Sequence, residues 1–205
     1  MDARKPRFRR GEPLPLTELS SDQFEKFMYQ CAIELGTELG LAVTQGPGQS
    51  ADAGFDITAR RLRDGRLACI QCKRLSRAFH LHMIGPEVAK VALRSKLEGS
   101  EVVEHYVVTS SDVGETLRSA LREFSRQKII QAALEAVDDD RTFGVLRARA
   151  AEVGLDAVST VTEYIQNLEV LDVWSGLDLA LRLNRVWERI EPAIERVFAI
   201  EIVIR

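Results

Sequence analysis

A carboxylate, a side-chain amide and an ammonium stand close together in this chain, at Asp56, Gln71 and Lys73. Oxygen donors of the first two kinds suit a hard divalent cation, and an ammonium beside them suits an anion or the water that attacks it. Asp64-Gly65 lies between them, flanked by strand-like runs. Asp-Gly in that setting predicts a tight hairpin turn. With the turn centred there, Arg63 pairs with Arg66, Thr58 with Gln71 and Asp56 with Lys73. Side chains alternate faces with a period of two, so Asp56, Thr58, Gln71 and Lys73 share one face. Directly opposed Cβ atoms lie roughly 5 Å apart, which brings acid, amide and ammonium to one spot. Phe55, Ile57, Ile70 and Cys72 fall on the reverse face, for a core.

Other elements must hold this hairpin. Residues 1–16, with Pro6, Pro13 and Pro15 among Arg4, Lys5, Arg7, Arg9 and Arg10, read as a loose basic arm. Thr17 or Ser20-Ser21-Asp22 caps a first helix. Its buried stripe is Phe24, Phe27, Met28, Cys31, Ala32 and Leu35, and Gly36 or Gly40 ends it. A short strand, 41–44, and a turn-rich loop, 46–54, deliver the chain to Asp56. A second helix runs from His82 to about Leu97, entered through Gly85-Pro86. The β-branched run 105–109 predicts a buried strand, opened by His105, a histidine with no evident partner. Ser111-Asp112 caps a third helix, 113–125, with Val113, Leu117, Leu121 and Phe124 inward. Residues 126–166 read as helical, broken at 138–140, and as an insertion. A strand at 168–174 leads into a helix over 177–198, whose apolar stripe is Leu179, Leu183, Val186, Ile190, Ile194 and Val197. The order is mixed α/β: a mixed central sheet flanked by helices, with a helical insertion.

The chain has 205 residues, 45% of them apolar and 29% charged, which suits one globular domain with a substantial core. A net charge of −3 does not mark a nucleic-acid binder. Local charge points the other way: Arg60, Arg61, Arg63, Arg66, Arg74 and Arg77 cluster around the hairpin and suit a phosphate backbone. The plain alternative is a solvated hairpin tip. Three cysteines do not make a disulfide framework and fit a reducing, cytoplasmic setting. No stretch approaches the roughly 20 apolar residues that span a bilayer, and no apolar region follows the basic N-terminus as in a secretory signal. Cys69 and Cys72, with His80 and His82 nearby, have a zinc-like spacing, but a regular strand sends 69 and 72 to opposite faces. Gly46-Pro47-Gly48 lacks the Gly-Lys-Ser/Thr ending of a phosphate loop. The apolar run 198–205 needs burial and reads as the approach to a further domain.

Three motifs occur in order: Phe24-Glu25-Lys26-Phe27 in the first helix, the glycine-bearing approach from Gly48 through Asp52 and Gly54 to Phe55-Asp56, and Gln71-Cys72-Lys73. Together they resemble the PD-(D/E)xK nuclease superfamily, with its restriction-endonuclease-like fold, and within it the Mrr-type restriction endonuclease group in its Gln-x-Lys form. The resemblance runs from about 17 to about 185, excluding the insertion. Ala51 and Ala53 depart from the family's richer glycine, and Asp52 reads as a turn residue. The resemblance implies a metal-dependent DNA endonuclease, the effector domain of a bacterial restriction or anti-phage protein. It implies Mg²⁺ or Mn²⁺ held by Asp56, the Gln71 side-chain oxygen, the Cys72 backbone carbonyl and Glu25, with Lys73 orienting or deprotonating the attacking water. It divides the chain into a basic arm (1–16), a nuclease domain (17–190) with an insertion (about 126–166), and an extension (191–205). Cutting both strands of DNA favours a homo-oligomer, with 126–166 or the 177–198 stripe as interface, the alternative for that stripe being to cover the domain's own core; a sensor or NTPase domain would lie outside this chain, and no membrane is involved. The alternatives are a catalytically silent nuclease-like module that binds nucleic acid or a partner, and a structural α/β domain.

Overall fold

Ser20 begins the first helix because its hydroxyl accepts from the Gln23 N–H (3.2 Å) while the Gln23 side chain accepts from the Ser20 N–H (2.9 Å), a capping box. The helix, α1 (Ser21–Leu39), ends at Gly40, whose φ of 69° needs no Cβ. The protein is seen here as a computed structural model that describes residues 7–9, 12–47, 55–123, 125–198 and 201–203, with backbone alone for 7–9, 177 and 201–203. The expected approach loop 48–54, with Asp52, and Phe124 lie outside the described residues, as do Arg4, Lys5 and Arg10 of the basic arm.

Five strands make the central sheet: β2 (Leu41–Gln45), β3 (Ile57–Arg61), β4 (Leu67–Lys73), β5 (Val102–Thr109) and β6 (Val170–Trp174), side by side in that order. β2, β3 and β4 are antiparallel neighbours; β4, β5 and β6 run parallel. β5 is buried along its whole length, as a central parallel strand covered on both faces must be. Against one face pack α1, α7 (Gly176–Arg185) and α8 (Trp187–Phe198), around Phe24, Phe27, Ile57, Ile70, Trp174 and Leu179. Against the other pack α2 (Leu81–Leu97), α3 (Glu115–Arg122), α4 (Arg126–Val137), α5 (Asp140–Glu152) and α6 (Ala157–Asn167). Gly85, inside α2, lets α4 approach: a Cβ there would lie 2.5 Å from the Ala132 carbonyl carbon. This mixed sheet between helices is the restriction-endonuclease-like α/β architecture that the motifs predict. Among the described residues no helix is long and apolar enough to cross a membrane.

Several expectations need correction. Within 1–16, Arg7–Arg9 form β1, parallel to β7 (Glu201–Val203), rather than part of a loose arm. The expected division at residue 190 falls inside α8. The third helix starts at Gly114, not Ser111-Asp112, because the Asp112 carbonyl is spent on the Phe79 N–H. The 177–198 helix breaks at Val186, and its stripe (Leu179, Leu183, Val186, Ile190, Ile194) covers the domain's own core. The hairpin closes at Arg61 and Arg66 around four residues, with the Arg61 N–H on the Arg66 carbonyl (2.9 Å) and Gly65 at a φ of 73°. Ile57 therefore pairs with Ile70 and Thr58 with Cys69, two residues from the predicted register. An even shift keeps the side chains within β3 and β4, Thr58, Gln71 and Lys73 among them, on their predicted faces. Phe55 does not keep its face. It precedes the strand at a bend and packs with Cys69 and Val91, on the α2 side.

Candidate active site

Asp56 sits at the bend that leads into β3, and Lys73 is the last residue of β4. The antiparallel pairing puts both at one end of the sheet, opposite the hairpin turn. The Asp56 carboxylate accepts the Cys72 backbone N–H at 2.6 Å, which locks the bend onto β4. A strand residue's N–H and C=O leave on the same side, so the Cys72 carbonyl also faces Asp56; the Lys73 carbonyl faces β5 instead and accepts from the Ser110 N–H (3.1 Å).

The two helix layers each lend a carboxylate to this sheet end. Glu25 comes from α1. Burial raises its pKa, and the neighbouring Asp56 raises it further. Burial likewise raises that of Asp56, against the Cys72 N–H and Lys73, which lower it. Glu87 comes from α2, where its Oε2 lies 2.7 Å from Lys73 Nζ and its Oε1 3.3 Å from Lys90 Nζ. Burial alone would raise the Glu87 carboxyl; the two lysines outweigh it and hold it below its ordinary value. Two carboxylates near each other, one of them raised by the other, are the electrostatic signature of a place that a divalent cation would relieve. The donor types fit a hard oxygen-seeking ion. Among the described residues no three His, Cys, Asp or Glu side chains gather closely enough to hold a metal, so Asp56 and Glu25 would rely on the Cys72 carbonyl and water to complete a shell.

Gln71 is 2% exposed, and its amide is spoken for. Its Oε1 lies 2.8 Å from His105 Nε2, and its Nε2 3.4 Å from Glu87 Oε2. His105, read from sequence as partnerless, is fully buried and also meets the Tyr164 hydroxyl at Nδ1 (3.1 Å). Burial lowers its pKa to about 3, so the ring is neutral. Glu87 escaped the sequence reading altogether; its one signal was being the lone acid in the second helix. Cys69 and Cys72 pack on opposite faces of the sheet, and burial, then Asp56, pushes the Cys72 thiol pKa well up.

The arginines separate into two groups. Arg61 is 3% exposed, paired with Asp64, Glu104 and Glu169. Arg63 and Arg66 also reach Glu169, each at 2.6 Å, and Arg60 donates to the Gly65 carbonyl. All four are at the hairpin end, which β4 separates from Lys73 by roughly 20 Å of strand. The expectation that they sit beside the candidate site is thus corrected: the turn and the site occupy opposite ends of the same two strands. Arg74 lies at the site end but donates to the Thr17 and Leu19 carbonyls (2.6 and 2.9 Å), tying the approach to α1. Arg77 is exposed there.

No curated protein and no solved structure matches the chain. The restriction endonuclease family Mrr_cat matches residues 16–138, more than half of the chain and the whole span from α1 through α4 that carries Glu25, Asp56, Gln71, Lys73 and Glu87. With those residues in that order at the end of a mixed five-stranded sheet, the chain belongs to the Mrr-type restriction endonuclease family of the PD-(D/E)xK superfamily.

Proposed function

We propose that this domain is a metal-dependent DNA endonuclease acting as the effector of a bacterial restriction or anti-phage system, in a cytoplasmic setting. The observation that carries this reading is the meeting of Asp56, Glu25, the Cys72 carbonyl and Lys73 at one sheet end, in a chain of the restriction endonuclease family. Asp56, Glu25 and the Cys72 carbonyl would hold Mg²⁺ or Mn²⁺. When bound, such an ion supplies Lewis acidity toward a phosphoryl oxygen and a more acidic bound water. Asp56 keeps its place through the Cys72 N–H. Lys73, with 29% of its side chain exposed, reaches the rim, where its ammonium can orient a water and meet phosphate charge. Arg77 extends positive charge along the same rim. Two copies, one per strand, would make a double-strand cut, and a sensor or NTPase elsewhere would govern it.

The test is supercoiled plasmid with purified protein in Mg²⁺, Mn²⁺ or EDTA, beside Lys73→Ala. Metal-dependent nicking or linearisation lost in the variant is expected. A second reading, a silent module that binds DNA or a partner without cutting, draws support from the Lys73–Glu87 ion pair, which already engages the ammonium. DNA binding with no cleavage in any metal would select it over the first.

A further inference from the structure

A line of polar contacts runs from α6 to the end of β4. The Tyr164 hydroxyl meets His105 Nδ1 (3.1 Å), His105 Nε2 meets Gln71 Oε1 (2.8 Å), Gln71 Nε2 meets Glu87 Oε2 (3.4 Å), and the same oxygen meets Lys73 Nζ (2.7 Å). Four elements contribute: α6, β5, β4 and α2. Only Lys73, at its far end, figures in the proposed chemistry.

The hydrogens on this line have one consistent direction. Glu87 sits between two ammonium groups, Lys73 and Lys90, and an ionised carboxylate only accepts. Gln71 must therefore turn its NH₂ toward Glu87, which turns its oxygen toward His105. An amide oxygen only accepts, so His105 carries its hydrogen on Nε2. The Nδ1 lone pair is then left to accept from the Tyr164 hydroxyl. Turning the amide round would set its oxygen against the Glu87 carboxylate, and moving the ring hydrogen to Nδ1 would set the Nε2 lone pair against the Gln71 oxygen; the Tyr164 hydroxyl, which can donate or accept, follows these two links. The orientation of Gln71 is thus decided by Glu87 at one end and agreed by Tyr164 at the other.

We propose that Tyr164, His105 and Glu87 are positioning residues that turn the Gln71 amide oxygen toward β5 and brace Lys73 from α2, so that Gln71 serves as a strut for Lys73 and not as an oxygen ligand of a cation. In the sheet order β3–β4–β5, this oxygen points away from the strand that Asp56 enters. The consequence for cleavage rests on the nuclease reading above; the hydrogen-bond direction does not.

The experiment therefore has two arms. Nitrogen-15 spectra of the histidine rings in the full chain, with His105 assigned by a His105→Gln variant, are expected to show a neutral ring with its proton on Nε2 at neutral pH. A proton on Nδ1, or a charged ring, overturns the relay. In cleavage assays, Tyr164→Phe and Glu87→Gln are expected to lower kcat about five- to tenfold with KM for DNA within about twofold, while Glu163→Gln, on the exposed side of α6, changes neither. Wild-type kcat in both relay variants, or a loss confined to KM, overturns the positioning role. A wild-type protein that cuts no DNA in any metal removes the nuclease reading, and the ring nitrogens still decide the relay.

Discussion

Replacing Arg61 with methionine separates two roles for the arginine-rich hairpin. If Arg61 touches phosphate, the variant loses DNA affinity and keeps its stability. The structure calls for the reverse. Arg61 and Glu104 are both more than nine-tenths buried, with NH1 3.2 Å from Oε1. Removing one partner of a buried pair costs about 3–5 kcal/mol, because the other charge stays buried. The Tyr106 hydroxyl still donates to Glu104 (2.8 Å), which favours the low end, about 3 kcal/mol. The bonds from Arg61 to Asp64 and Glu169 go to more exposed carboxylates and contribute little. For a domain of this size 1 kcal/mol moves Tm by about 2–4 °C, so Arg61→Met should melt about 6–12 °C below wild type. Circular dichroism melts read this directly. DNA affinity measured across salt concentrations reads the other role, since each phosphate contact contributes about 0.9 to the slope of log K against log salt. Arg77→Ala, at the site end, should keep Tm and reduce the slope. An Arg61→Met protein with wild-type Tm and a reduced slope would refute the structural assignment.

Asp56→Asn should stabilise the metal-free domain while abolishing cleavage. Burial raises the Asp56 carboxyl above its ordinary value, so the folded state holds that proton more tightly than the unfolded chain does. Ionising Asp56 therefore costs stability: the cost is absent in acid, grows as pH rises through the carboxylate range, and is complete above the raised value. Asparagine can still accept the Cys72 N–H. The variant should thus melt above wild type at neutral pH and lose the advantage in acid, and Mg²⁺ should raise Tm for wild type alone; a lower neutral-pH Tm contradicts this. Gly85→Ala should cost about 1–3 kcal/mol in urea unfolding, since the new methyl lies 2.5 Å from the Ala132 carbonyl carbon and α2 must move off α4. Unchanged stability would mean that the two helices are not in close contact there.

What was legible in the sequence was local. A cap near Ser20, the stripe of α1 and the common face of the strand residues Thr58, Gln71 and Lys73 depend on neighbours a few residues apart or on a period of two. The hairpin register was misplaced by two because Asp64 and Gly65 sit inside a four-residue turn, where Asp64 accepts the Arg66 N–H (3.1 Å) and the Gly65 N–H donates to the Arg61 carbonyl (2.8 Å), and because Arg61 is also held from afar by Glu104 and Glu169, 43 and 108 residues away. The shared face survived only because the error was even. His105 looked partnerless for the same reason, since Tyr164 lies 59 residues downstream. Glu87 was invisible because nothing local distinguishes a helix glutamate that braces a lysine from one that faces water. The hairpin arginines misled because composition records that charges cluster, not which carboxylates answer them.

The family match stops at residue 138, yet the proposed site inside it leans on residues further along the chain. Tyr164 reaches back to His105, Glu169 binds three arginines of the hairpin, and β6 covers the edge of β5. The α1 face of the core also takes Trp174, Leu179, Leu183, Trp187, Ile190 and Ile194 from beyond the match. Losing side chains that bury about 1.5–3 kcal/mol each would remove on the order of 10 kcal/mol, comparable to the whole stability of a typical domain, about 5–15 kcal/mol. A chain cut after residue 138 keeps Glu25, Asp56, Gln71 and Lys73 in sequence and should lose them in space. It is expected to show no cooperative melt, poor amide dispersion and no metal-dependent cleavage. A cooperative melt in that fragment would mean that residues 16–138 form a self-sufficient core, and that the later helices and β6 are additions to the nuclease domain rather than half of its support.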